Sequence, residues 1–237
     1  VIKPALGFVI CGISFAPTSK IQENLMRAFI IIALCGLAAI AADKVKLEID
    51  YPRPLVKGTE VPKSIPNMEA SRKEGSAPAP FMVPDGCENL AADMYVTSSD
   101  DDPVAGDLDM ITDEDADGQE FVQLRSGLQW IQIDLEEAQE LFAVHIWHYH
   151  AQPRVYFDVI IEISDDPDFI DGVTTVYNND HDNSAGKGSG TDKHYIEEFY
   201  GRTVDAKGTK GRYVRIYSNG SSGDKANHYI DVQVFGK

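Results

Sequence analysis

Cysteine is scarce in this chain: three in 237 residues, at positions 11, 35 and 87. Once the N-terminal segment considered below is removed only Cys87 remains, so an internal disulfide framework is excluded and packing must hold the fold. Basic residues are also few, 21 Lys and Arg against 38 Asp and Glu, for a formal charge of −17. No cluster of Lys and Arg interrupts that acidity, which repels phosphate backbones and argues against nucleic acid as a partner. Divalent cations are compatible with it, as is the simple solubility of an exported protein. No apolar run reaches the ~20 residues that span a bilayer, so no membrane partner is expected beyond an export signal. Long stripes of period 3.6 are missing as well, which removes helical bundles from consideration.

The longest apolar run present is Ala28 to Ala41, preceded by Met26-Arg27 and closed by Ala39-Ile40-Ala41. A short basic start, an apolar middle and small residues at the end are the parts of a secretory signal peptide. We therefore read residues 26–42 as signal peptide, residues 1–25 as an over-translated leader, and the mature protein as secreted or periplasmic. Seven of the twelve prolines fall in residues 43–86, among Lys, Glu, Ser and Gly. That composition predicts an extended linker or wrapping arm, with one short alternation, Val45, Leu47 and Ile49, suited to an edge strand.

From Cys87 onward, short alternating runs are separated by turn residues, the pattern of an all-β domain. Ile131, Ile133 and Leu135 share one face of a strand; so do Val155, Phe157, Val159, Ile161 and Ile163, with Tyr156, Asp158 and Glu162 outward. Val214 with Ile216, and Ile230 with Val232 and Val234, form further inward sets. Two packed antiparallel sheets over residues 87–237 satisfy all of them.

Three features of this region carry chemistry. Residues 109–118 hold five carboxylates, and Asp113, Asp115 and Asp117 with loop carbonyls suit the oxygen-rich coordination of calcium. The segment lacks the Glu that closes an EF-hand loop at its twelfth position, so the readings are a different calcium loop or a solvated acidic turn. All six histidines lie in the C-terminal region. On a strand from Phe142 to His150, Phe142, Val144 and Ile146 take the inward parity, and His148 and His150 share it at the sandwich rim. Three readings stand open: hydrogen bonding at the core edge, a sugar-binding rim with Trp147 or Tyr149 stacking, or a transition-metal pair completed by His181 or Asp180. The third feature is the loop 178–191, polar in its first half and glycine-rich in its second. It offers Asp180, His181 and Asp182 to a polyol or a cation, and lacks the strand-to-helix context of a phosphate loop.

The order of short motifs resembles the discoidin family, the coagulation factor five/eight type C domains. Asn89-Leu90-Ala91 with Val96-Thr97-Ser98-Ser99 resembles the opening strand, and Trp130 to Leu135 the W-x-Q-x-D-L signature. Ile163-Ser164-Asp165-Asp166, Gly211 to Ile216 and Asp231 to Gly236 are similar to the later family segments in order. Within the family, Trp147-His148-Tyr149-His150, Asn179 to Asn183 and Asn227-His228-Tyr229 look like those of a bacterial secreted subgroup. The resemblance implies a galactose-binding-like jelly roll that binds rather than catalyses. It also implies a structural calcium held by the acidic loop together with Asp231 on the last strand.

The expected function is a secreted, non-catalytic binding module for carbohydrate or cell-surface glycan. Its candidate contacts are Trp147, His148, Tyr149, His150, Arg154, Asp180, His181, Asp182 and His228. Its calcium ligands are Asp113, Asp115, Asp117 and Asp231. An envelope metal-binding or structural protein using the histidine-rich rim is the alternative. A hydrolase with paired carboxylates ranks below both, because no motif singles out a nucleophile.

Overall fold

A computed structural model describes residues 43–55, 62, 64–70 and 76–237. The leader and signal segments, 1–25 and 26–42, lie outside the described residues. Ten strands follow in chain order: β1 (Lys44–Lys46), β2 (Met82–Pro84), β3 (Glu88–Asn89), β4 (Tyr95–Ser98), β5 (Val122–Leu124), β6 (Gln129–His148), β7 (Ile160–Ser164), β8 (Thr174–Asn178), β9 (Arg202–Ser218) and β10 (Asn227–Gly236).

Two long strands, β6 and β9, pair with each other on both sides of a bend, and the bend makes two sheets from one ladder. The first half of β6, Gln129 to Asp134, lies between β4 and the second half of β9, which continues to β7 and β8. The second half, Gln139 to His148, lies between β10 and the first half of β9, with β3 and β5 on the far side of β10. All these pairings are antiparallel, giving a β-sandwich. The bend itself is written in local chemistry: Glu136 takes φ +66°, its amide donates to Asp134 Oδ1, and Arg212 grips Asp134 with Nε and Nη2 at 2.6 and 2.7 Å. Gly211 sits on the β9 side, where an added Cβ would stand 2.4 Å from Ile163 Cγ2.

The core between the sheets follows the period-2 reading. Ile131, Ile133, Val144, Ile146, Ile161, Ile163, Val214, Ile216, Val232 and Val234 are all buried in it. Three details depart from the sequence expectation. β7 starts only at Ile160, because Asp158 at φ +50° breaks the extended run; Tyr156 therefore turns into the core and Phe157 is left half-buried. The β6–β9 register shifts between Leu141 and Ala143, and Phe142 packs on the opposite face from Val144. A shift between Tyr229 and Asp231 does the same to Ile230, which joins Trp147 and Ala116 outside the main core.

The arm is folded onto this frame. β1 pairs with β2, and Leu47 and Val83, 7% and 2% exposed, pack with Ala143 and Phe235 on the outer face of the second sheet.

Candidate ligand site at one end of the sandwich

The turns that precede β6 and β7, the β9–β10 turn and the loop after β8 gather at one end of the sandwich. The Phe157 amide donates to the Gly220 carbonyl and the Asn219 amide to the Phe157 carbonyl, locking the 154–158 and 219–225 loops together. Asn227 fixes the third loop, its Nδ2 donating to the Arg125 and Gly127 carbonyls and its Oδ1 accepting from Ser218 Oγ and the Gly220 amide. Between them lies an open depression of about 460 Å³, lined by Ser126, Gly127, Phe157, Asn219, Asp224 and Lys225 among others. It combines one aromatic ring, one amide and one charge of each sign.

The expected contact residues stand mostly one layer behind this surface. Arg154, 6% exposed, donates from Nη1 to Asp224 Oδ2 at 3.0 Å and lies 4.8 Å from the Tyr149 ring centre. His228 is 5.9 Å from the same ring, accepts or donates at 3.2 Å to the Tyr156 hydroxyl, and burial lowers its pKa to about 4. On the other flank, Asp180 and Asp158 both accept from Ser184 Oγ, and Asn219 Nδ2 donates to Asp158 Oδ2 at 2.8 Å. Thus Arg154 positions Asp224, and the 180–184 loop positions Asn219 through Asp158. Asp182 is exposed and its Oδ1 accepts from the Ser184 amide; His181 packs 5.1 Å from His194, ring to ring.

Three of the expected contacts, Trp147, His148 and Asp180, are fully buried. Trp147 is fully buried and donates its indole N–H to the Phe199 carbonyl, because its parity on β6 carries it to the outer face beneath the loop at Ala116. His148 is fully buried too, stacked 4.2 Å from Tyr156, with Nδ1 3.1 Å from Glu197 Oε2. Burial lowers the His148 pKa to about 3 and raises that of Glu197 to about 8, so the pair is held neutral. His150 diverges from His148 and places Nε2 2.9 Å from the Ala116 carbonyl. The two imidazoles expected side by side on one rim therefore serve different neighbours, since β6 ends between them. Among the described residues, the three metal-ligating side chains that come within 4.8 Å of one another are Asp158, Asp180 and Asp182.

The expected calcium residues sit on the outer face of the second sheet. Asp231 is fully buried opposite Trp147, its Oδ1 without a partner; burial first and then the nearby charge of Asp113 raise its pKa to about 7. Asp113 is exposed and Asp115 follows it outward, each carboxylate accepting from the amide two residues on; Asp117 does so from Gln119. All three loop carboxylates satisfy their own turns, and of them Asp113 is the one whose charge acts on Asp231.

Sequence reasoning missed Phe157, Asn219, Asp224 and Lys225 as lining residues. Phe157 was assigned to the core by alternation, and the signal against that was Asp158, a residue that tolerates positive φ.

No protein-family model matches the chain, and no curated protein matches it. Similar solved structures exist. The CBM32 of AlyQ in complex with 4,5-unsaturated mannuronic acid is 22% identical, with a TM-score of 0.45, over 61% of this chain and 96% of that one. The chitosan-binding module 1 of a chitosanase/glucanase from Paenibacillus sp. IK-5 is 18% identical, TM-score 0.43, over 63% and 99%. The Streptococcus pneumoniae fucose binding module SpX-3 is 18% identical, TM-score 0.41, over 62% and 96%.

Proposed function

We propose that this chain is a secreted, non-catalytic module that binds carbohydrate in the depression between the 154–158 and 219–225 loops. The observation that carries the reading is the make-up of that depression: the half-buried ring of Phe157 beside Asn219, Asp224 and Lys225. A sugar ring presents an apolar C–H face and a polar hydroxyl edge, and an aromatic face flanked by amide, carboxylate and ammonium answers both. The supports behind the surface, Arg154 on Asp224 and Asp158 on Asn219, hold those groups in place before a ligand arrives. The carboxyl–imidazole pair His148–Glu197 is fully buried and does not line the depression.

Calcium fits the outer-face site on one specific ground. Asp231 is a buried carboxylate with an unpartnered oxygen facing an acidic loop, and a cation is the partner such a group lacks. Asp231 and Asp113 would hold the ion with loop carbonyls, and it would brace the loop that contacts His150 through Ala116.

Calorimetric titration of neutral oligosaccharides into the protein, with calcium present, tests the reading. Phe157→Ala should weaken binding about tenfold, the equivalent of ~1.4 kcal/mol for one lost aromatic contact. Its melting temperature should stay near that of the parent, since the ring is not in the core. Equal affinity of the variant and the parent contradicts the assignment.

A further inference from the structure

The proline-rich arm meets the sandwich a second time, well past β1. Residues 64–70 run beside His194: the Glu69 amide donates to the His194 carbonyl at 2.9 Å, and the His194 amide donates to the Asn67 carbonyl at 3.1 Å. Met68 forms a parallel bridge with His194. Among the described residues the arm and the sandwich are joined here also by an ion pair, Arg202 Nη1 to Glu69 Oε2 at 2.7 Å, with side chains 26% and 30% exposed. None of the seven residues is buried. This strap differs from the β1–β2 attachment, where Leu47 and Val83 bury apolar side chains against the sheet.

The receiving side is more elaborate than the strap. Arg202 is the first residue of β9, and its guanidinium carbon lies 4.9 Å from the ring centre of Tyr195 and 6.0 Å from that of Tyr177, both buried. The rings fix its plane. Arginine grips a carboxylate best through two N–H groups, yet Glu69 engages Nη1 alone, and Nε is buried without an acceptor. The Tyr195 hydroxyl, on a side chain 4% exposed, has no partner either. A guanidinium oriented by two buried rings, next to a main chain already pairing with an extended segment, is a receptor for a strand that carries a carboxylate.

We propose that the His194 main chain and Arg202 form an acceptor for an extended peptide carrying a carboxylate, and that residues 64–70 occupy it in cis as a displaceable strap. Main-chain pairing selects an extended segment, as in strand addition to a sheet edge, and Arg202 selects a carboxylate at the position Glu69 now fills. A tethered segment competes at the high effective concentration its linkage gives it, so the acceptor is masked in the parent chain and opens when the strap's carboxylate is withdrawn. The inference does not rest on the glycan reading, because neither His194 nor Arg202 lines the depression.

Fluorescence anisotropy of a labelled peptide with the sequence of residues 62–71, added to the full chain, tests it. The Glu69→Gln chain should bind the peptide about tenfold more tightly than the parent. Adding Arg202→Gln should abolish that gain, as should a peptide carrying Gln in place of its Glu. Equal binding by parent and Glu69→Gln, no binding by either, or indifference to the peptide's carboxylate would overturn the proposal. Hydrogen exchange supplies a second readout in the parent chain. The Glu69 and His194 amides should exchange together and faster than the Leu47 amide, and exchange at the same rate as Leu47 would overturn the idea of a displaceable strap.

Discussion

Asn219 and Asp224 show how the ligand end is organised at the level of single residues: each presents a polar group to the depression and is itself held from behind, by Asp158 and Arg154. Asp224→Ala removes both a contact and the partner of a buried guanidinium. It should therefore weaken glycan binding and lower the melting temperature together, whereas Phe157→Ala affects binding alone. The buried pair His148–Glu197 sets a pH dependence. Glu197 titrates near 8 folded and near ~4.3 unfolded, so the stability its protonation contributes is complete below ~4 and is lost as pH rises toward 8. His148 titrates near 3 folded and near ~6.5 unfolded, so its contribution is complete above ~6.5 and is lost as pH falls toward 3. His145, also lowered to about 3 by burial, acts in the same direction as His148. Below ~6.5 the two histidine contributions rise with pH against the single fall from Glu197, so thermal melts across pH should peak near ~6.5, and Glu197→Gln should flatten the alkaline limb above it. Calcium should raise the melting temperature of the parent and leave that of Asp231→Asn unchanged.

At the level of elements, the sandwich depends on bending β6 and β9 at the same place. Gly211 permits the close approach of β9 to β7, and a side chain there meets Ile163. Gly211→Ala should cost about 1–3 kcal/mol in denaturant unfolding, the range of overpacked cores, with ligand binding retained in the folded fraction. The strands themselves were legible from alternation, because a sheet with one face buried writes period 2 directly into Ile131–Leu135, Val214–Ile216 and Val232–Val234. Alternation failed where the backbone leaves the regular ladder. At Asp158 it ended a strand and released Phe157 to the ligand surface; at Tyr229–Asp231 a register shift sent Ile230 to the other face. Of the residues around the depression, the sequence pointed to those behind its lining. Arg154, Asp180 and His228 stood out by residue type, but the groups they position came from turns whose joining is set by long-range hydrogen bonds. Trp147 and His148 are buried because aromatic and imidazole side chains that suit a sugar rim also suit a packed layer, and what β6 meets on each face decides between them.

At the scale of the whole molecule, the arm and the sandwich form one hydrophobic account. Leu47 and Val83 cover the outer sheet face that Ala143 and Phe235 present and that a bare sandwich leaves to water. Leu47→Ala should cost about 2 kcal/mol, the low end for a buried leucine, and should destabilise the sandwich rather than merely release the arm. The function proposed above is that of a module that holds a sugar and leaves it unchanged. The most direct measurement of that claim is an NMR titration of the full chain with neutral oligosaccharides at saturating calcium. The account predicts shifts concentrated at Phe157, Asn219, Asp224 and Lys225, with the sugar recovered intact. Shifts elsewhere with those four silent, or turnover of the sugar, would contradict it.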